Sequence, residues 1–236
     1  MIEQGTINKK FVNQCQEIVL ETANAINHLN KIEDLHKLID KKEINNIRIE
    51  SFKAINTLEW EKEILESCYS HIAKMLGPDL LIQKKINLSI QMPDDESSVL
   101  EAHSDCSSGD SPFELVIWIP LTECYDTNSM FVLDKVDSNR IYKKIKASTY
   151  FDVSPKNEDF IVSRPGEYIV FPPTLIHGNM LNRTDITRAS LNVRVKSVFS
   201  PYTKDVVRDR TYGTYYKRFA ISKLTEWNMT IYETLT

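Results

Sequence analysis

The sequence predicts a mainly β domain, an antiparallel sandwich or barrel, with flanking helices and an N-terminal helical layer. Two features of the chain lead there. Apolar residues recur at helical spacing up to Pro78, and beyond it short β-branched and aromatic runs alternate with turn clusters. No clear helical segment separates those runs, which argues against βαβ units.

Phe11, Cys15, Ile18, Thr22, Ile26 and Leu29 recur every three or four residues and share one face of a first helix. A second helix is predicted over 58–76, with Ile64, Leu65, Cys68, Ile72, Met75 and Leu76 as its apolar stripe. Gly77-Pro78 ends it, glycine past the last turn and proline barring continuation. Strands are predicted over 86–91, 113–119, 130–133, 168–171, 175–180 and 188–195, with turns at 93–95, 107–112, 126–129, 165–166 and 182–185. The aromatic-rich tail after 200 is expected to add a helix or to cover the barrel mouth. One domain is expected: a helical layer over 1–78, a catalytic core over 79–199 and a C-terminal extension over 200–236.

Of 236 residues, 42% are apolar and 26% charged, enough for a core that needs no staple. Twenty-nine basic residues against 33 acidic ones, with no long basic run, argue against a nucleic-acid partner. Cys15, Cys68, Cys106 and Cys124 form no CxxC pair or metal-finger spacing. No stretch reaches the length of a membrane span, and no apolar leader opens the chain. A reduced, soluble, cytoplasmic protein is therefore expected, and the Asn228-Met-Thr230 sequon reads as coincidence.

His103-Ser-Asp105 carries the chemistry. Residues i and i+2 of a strand point the same way, so an imidazole and a carboxylate can converge on one ion. His177 lies in Leu175-Ile-His-Gly-Asn179, at the end of another predicted strand. Two imidazoles and a carboxylate with open positions form the facial triad of non-haem iron(II) oxygenases. Each element alone is weak, since a lone histidine on a strand is more often a core residue. The strand at 188–194 strengthens the set: Arg188, Ser190, Asn192 and Arg194 face one way, and Ala189, Leu191 and Val193 the other. That polar face is either solvated or turned inward, where Arg188 would form a bidentate pair with a carboxylate and Ser190 would donate to it.

The order HxD, distal histidine, then Arg-x-Ser resembles the iron(II)/2-oxoglutarate-dependent dioxygenases, in their phytanoyl-CoA-dioxygenase-like branch. Within it, 103–114, Trp118-Ile-Pro-Leu121, Thr127-Asn-Ser-Met130 and Arg188-Ala-Ser-Leu-Asn-Val-Arg194 resemble oxygenases of bacterial carbohydrate and aminoglycoside clusters, such as the streptomycin-pathway type. The resemblance covers about 85–196. It implies a double-stranded β-helix (a cupin-like jelly roll), with Fe(II) on His103, Asp105 and His177. It further implies that Arg188 and Ser190 hold the 2-oxoglutarate C5 carboxylate, with O2 and a small sugar-like substrate completing the reaction. Val132-Leu-Asp-Lys-Val-Asp137 departs from the Pro-Gly-Ser-His stretch of many phytanoyl-type enzymes, which loosens the link to lipid substrates.

Other candidates follow. Asn87, Ser89 and Gln91 alternate on a strand leading to the site and are candidates for the 2-oxo acid or the substrate, or are surface polar residues of that strand. Trp118, Asp110, Ser107 and Arg194 are candidates for substrate, and Arg194 is an alternative to Arg188 for the oxo acid. Cys106 is expected to point away; His28, His36 and His71 read as surface residues. Asp105 argues against halogenation, because halogenating relatives have a small residue there. Hydroxylation, desaturation, ring formation and epimerisation share these ligands. Two competing readings are a cupin-like metal-dependent isomerase or epimerase, active without O2, and a sugar-binding β-barrel holding no iron.

Overall fold

The computed structural model describes residues 2–24, 29–147, 153–201 and 210–235. Nine strands are found among these residues: β1 (Glu3–Thr6), β2 (Leu80–Gln83), β3 (Asn87–Gln91), β4 (Glu114–Pro120), β5 (Met130–Val132), β6 (Glu167–Phe171), β7 (His177–Asn179), β8 (Arg188–Ser197) and β9 (Tyr216–Ala220). The helices are α1 (Lys9–Asn24), α2 (Leu35–Leu38), α3 (Ile44–Ile55), α4 (Trp60–Leu76), α5 (Lys135–Lys146) and α6 (Lys223–Leu235). Helix outweighs strand, so the chain is mixed rather than mainly β.

Seven strands pair antiparallel in the order β1-β6-β4-β8-β2-β9, with β3 also bonded to β8; β5 and β7 form a second, two-stranded sheet. β8 is the centre of the large sheet. It pairs with β4 along one side, and with β3 and then β2 along the other.

Strand alternation gives this sheet two unlike faces. Leu88, Ile90, Leu115, Ile117, Ile119, Leu191 and Val193 pack with α1, α3 and α4 through Val12, Cys15, Val19, Ile47, Ile55, Ile64 and Ile72. Each such side chain, fully buried, contributes about 1.5–3 kcal/mol. The opposite face places Val116, Trp118, Ile169 and Phe171 against Met130 and Val132 of β5 and against Leu175. Between β8 and the small sheet lies the candidate site.

The six predicted strands correspond to β3 to β8. β1, β2 and β9 have no counterpart in the sequence reading, and β1 and β9 bring segments before 79 and after 199 into the sheet. In α1 the buried stripe centres on Val12, Cys15, Val19 and Ala23, a small rotation from the predicted face. Ile26 and His28 lie outside the described residues. α4 matches the helix predicted over 58–76, and Gly77 follows it at φ 87. α5 corrects the expectation that no helix interrupts the strands. It carries only Ser138 and Ile141 to the interior, and Asp134 caps it by accepting from Asp137 N–H at 2.7 Å. His36 and His71 are half-buried rather than surface residues, bonded to the hydroxyls of Thr187 and Tyr168 at 3.0 and 2.8 Å.

Candidate metal centre

The expected convergence of His103, Asp105 and His177 is present, but it does not arise from strand alternation. His103 sits in an isolated bridge to His177, Asp105 opens a 3-10 turn, and His177 is the first residue of β7. His103 and His177 exchange backbone hydrogen bonds of 2.9 and 2.8 Å, and Asp105 N–H is held by the Pro173 carbonyl at 3.1 Å. Gly178 permits the approach: a Cβ there would lie 2.7 Å from the Leu100 carbonyl oxygen.

One ligand atom from each of the three residues lies within 4.8 Å of the others. Asp105 Oδ1 is 3.5 Å from His103 Nε2 and 3.6 Å from His177 Nε2. The two Nδ1 atoms face the carbonyls of Glu101 and Leu175 at 2.7 and 2.8 Å. A carbonyl only accepts, so each Nδ1 carries the proton and each neutral ring offers its Nε2 lone pair. Three electron-pair donors then face one another, an arrangement that needs a cation between them. Burial pushes the Asp105 carboxyl up, but its contacts with His103 and His177 and the Arg194 charge outweigh it. The carboxyl is held well below its ordinary range and remains an anionic donor.

Arg188 is buried beside this set. Its Nε donates to the Asn128 carbonyl at 3.1 Å, Nη1 to Ser89 and Ser190 Oγ at 3.0 and 2.8 Å, and Nη2 to Gln91 Oε1 at 2.9 Å. All four acceptors are neutral, and no carboxylate pairs with Arg188 among the described residues. Burial pulls its pKa below the usual arginine value, yet a guanidinium stays protonated in proteins. The result is an uncompensated cation in the wall of the cavity.

That cavity, about 150 Å3, is lined by His103, Asp105, His177, Trp118, Arg188, Ser190 and Arg194. Among the remaining candidates, Gln91 braces Arg188 from behind, and Asn87 donates to Asn192 Oδ1 at 3.1 Å; neither lines the cavity. Ser107 is exposed in the 3-10 turn, bonded to Ser104. Asp110 is buried in ion pairs with Arg194 and Arg210 and is also absent from the lining. Arg194 donates to Asp105 Oδ2 at 2.7 Å, so it is engaged by the metal set itself. Cys106 does not line the cavity. Of the three alternating polar residues of β3, Ser89 does line it, as do Asn179 and Asn192, which were not among the candidates. Ser89 shares the alternating face of Asn87 and Gln91, a signal already present in the sequence.

The chain is similar in structure to the non-haem monooxygenase ThoJ in its nickel complex, at 15% identity over 98% of this chain and 89% of that one, TM-score 0.54. It is also similar to SnoN, the α-ketoglutarate-dependent epimerase from nogalamycin biosynthesis, at 12% identity over 90% and 85%, TM-score 0.53. At such identities the likeness is one of fold. No protein-family model matches the chain, and no curated protein aligns with it.

Proposed function

We propose that this chain is an Fe(II)/2-oxoglutarate-dependent oxygenase, with His103, Asp105 and His177 holding the metal. One observation carries the reading. The same cavity contains three convergent metal donors and, in Arg188, a buried guanidinium with only neutral partners. A metal-dependent isomerase needs the first feature but has no use for the second. A dianionic oxo acid uses both, one end at the metal and the far carboxylate at Arg188. Ser190 accepts from Arg188 and keeps its own hydroxyl proton to donate to that carboxylate.

Fe(II) and 2-oxoglutarate, when bound, supply O2 activation coupled to decarboxylation of the oxo acid to succinate. The protein's share is to bind, orient and exclude water. Phe171 packs edge-on against His177 with ring centroids 5.1 Å apart, and Val116 and Met130 add apolar wall, restricting water near the metal set. The substrate is proposed to be small and polar, a sugar, aminoglycoside or nucleotide-linked sugar. Trp118, Asn179 and Asn192 in the lining support that, an aromatic face among amides suited to a hydroxylated ring. Hydroxylation is the proposed outcome.

The test is anaerobic loading of the metal-free chain with Fe(II) and 2-oxoglutarate, read by visible absorption, then O2 and a panel of sugars. A charge-transfer band, succinate formation and a product gaining one oxygen atom are expected. A product of unchanged mass formed with succinate would replace hydroxylation by epimerisation. Absence of both band and succinate would overturn the class.

A further inference from the structure

Behind the metal donors runs a buried chain of alternating charge. Arg194 Nη2 donates to Asp105 Oδ2 at 2.7 Å, and Arg194 Nε lies 3.2 Å from Asp110 Oδ2. Asp110 also pairs with Arg210. The Asp110 side chain is 0% exposed, and those of Arg210, Asp105 and Arg194 are 7%, 8% and 14% exposed. Two carboxylates and two guanidiniums cancel within this chain, so none of these charges is buried alone.

We propose that Arg194, locked in place by Asp110 and Arg210, is a positioning residue that makes Asp105 a one-oxygen ligand. The inference rests on the metal assignment above. A carboxylate free to turn can chelate a metal through both oxygens, and the second oxygen then takes a position that the oxo acid or O2 requires. Arg194 prevents this by occupying Oδ2, which leaves Oδ1 facing both histidine Nε2 atoms. The guanidinium is planar, and an ionic contact of its Nε edge with Asp110, added to the hydrogen bond from Nη2, restrains it from swinging with the carboxylate. Asp110 supplies that second hold. Arg210 gives the otherwise overdrawn Asp110 a second cation, and it comes from the segment leading into β9. The C-terminal part of the chain is thereby coupled to the metal without lining the cavity.

The experiment uses Co(II) as the probe on the full, metal-free chain, reading affinity by titration and coordination by the visible d–d bands. Arg194→Met is expected to weaken Co(II) binding by about 10–100-fold and to change the bands. Arg210→Met should shift both readouts the same way but less. The double variant should be no worse than Arg194→Met, because one pathway is removed once. Arg194→Lys, charged but without the fork, should restore affinity only in part. If Arg194→Met does not fold by circular dichroism, Arg210→Met carries the test, since that residue touches no metal donor. Unchanged bands in Arg210→Met, unchanged affinity in a folded Arg194→Met, or losses that multiply in the double variant would each overturn the inference. Failure of the wild type to bind Co(II), or binding that survives His177→Ala, would instead overturn the metal assignment.

Discussion

His103 and His177, 74 positions apart, exchange both of their backbone hydrogen bonds, at 2.9 and 2.8 Å, and their rings lie tilted to one another with centroids 4.4 Å apart. The two imidazoles are therefore placed by main chain rather than by side-chain rotamers alone. A site built this way responds to backbone displacement more than to loss of a neighbouring side chain, which directs attention to the residue between His177 and Asn179.

Gly178→Ala is expected to weaken metal binding without touching a ligand. The added methyl would meet the Leu100 and Glu101 carbonyl oxygens at 2.7 and 3.0 Å, so the 100–103 segment must move. Overpacking of this kind costs about 1–3 kcal/mol. Urea denaturation should show that loss, and Ni(II) titration a lower affinity; an unchanged pair of curves would mean that the segment yields freely.

Arg188→Met is expected to separate stability from cofactor binding. Removing a buried cation that lacks an anionic partner lifts its desolvation cost and offsets the loss of its hydrogen bonds to Asn128 and Gln91, so the melting temperature of the apo protein should change little. Binding of 2-oxoglutarate to the Ni(II)-loaded protein should weaken by about 2–5 kcal/mol, roughly thirtyfold or more. Calorimetric titration checks this. Undiminished 2-oxoglutarate affinity would remove Arg188 from the site.

Ser138→Ala probes the helix that the sequence hid. Ser138 Oγ accepts from Ile176 N–H at 3.0 Å, and Tyr142 OH donates to the Thr174 carbonyl at 2.8 Å. α5 thus steadies the approach to His177. Leaving the buried Ile176 N–H unpaired should cost about 1–3 kcal/mol, measurable as a shifted urea midpoint. A shift below a few tenths of a kcal/mol would show that water replaces the hydroxyl.

What the sequence revealed of this fold follows from where two-fold periodicity is strong. β8 alternates Arg188, Ser190, Asn192 and Arg194 with Ala189, Leu191, Val193 and Val195, because one face meets the helices and the other the cavity. α5 gave no such signal: Lys135–Lys146 is mostly polar and is held by a cap and two buried residues rather than by a stripe. β1 and β9 are edge strands of the large sheet, with Gly5 and several charged residues that carry little β pattern. In the site, residue types and order were legible in His103, Asp105, His177 and Arg188. Partnerships were not, because cross-strand register decides them. Gln91 lies opposite Arg188 and Ser89 opposite Ser190 only in the β3–β8 pairing. Asp110 looked like a substrate residue by its nearness in sequence to Asp105, whereas tertiary packing turns it toward Arg194 and Arg210.

Glu114→Gln is expected to change how stability depends on pH. Glu114 is buried with Tyr216 and Lys196: Tyr216 OH donates to Oε2 at 2.7 Å, and Lys196 Nζ lies 4.0 Å from Oε1. Burial raises the Glu114 pKa by more than the Tyr216 hydrogen bond and the Lys196 charge lower it. The unfolded carboxyl titrates near about 4.3. Above that value the native chain retains a proton that the unfolded chain has released. Stability from Glu114 is therefore complete below the unfolded pKa and is lost as pH rises through the native one. The slope cannot exceed about 1.4 kcal/mol per pH unit. The amide of the variant does not titrate, so it lacks this decline. Wild-type stability should therefore fall relative to that of the variant as pH is raised from about 4 towards neutrality. Thermal denaturation at a series of pH values measures the difference, and a wild type that holds or gains stability relative to the variant as pH rises would contradict a raised native pKa at Glu114.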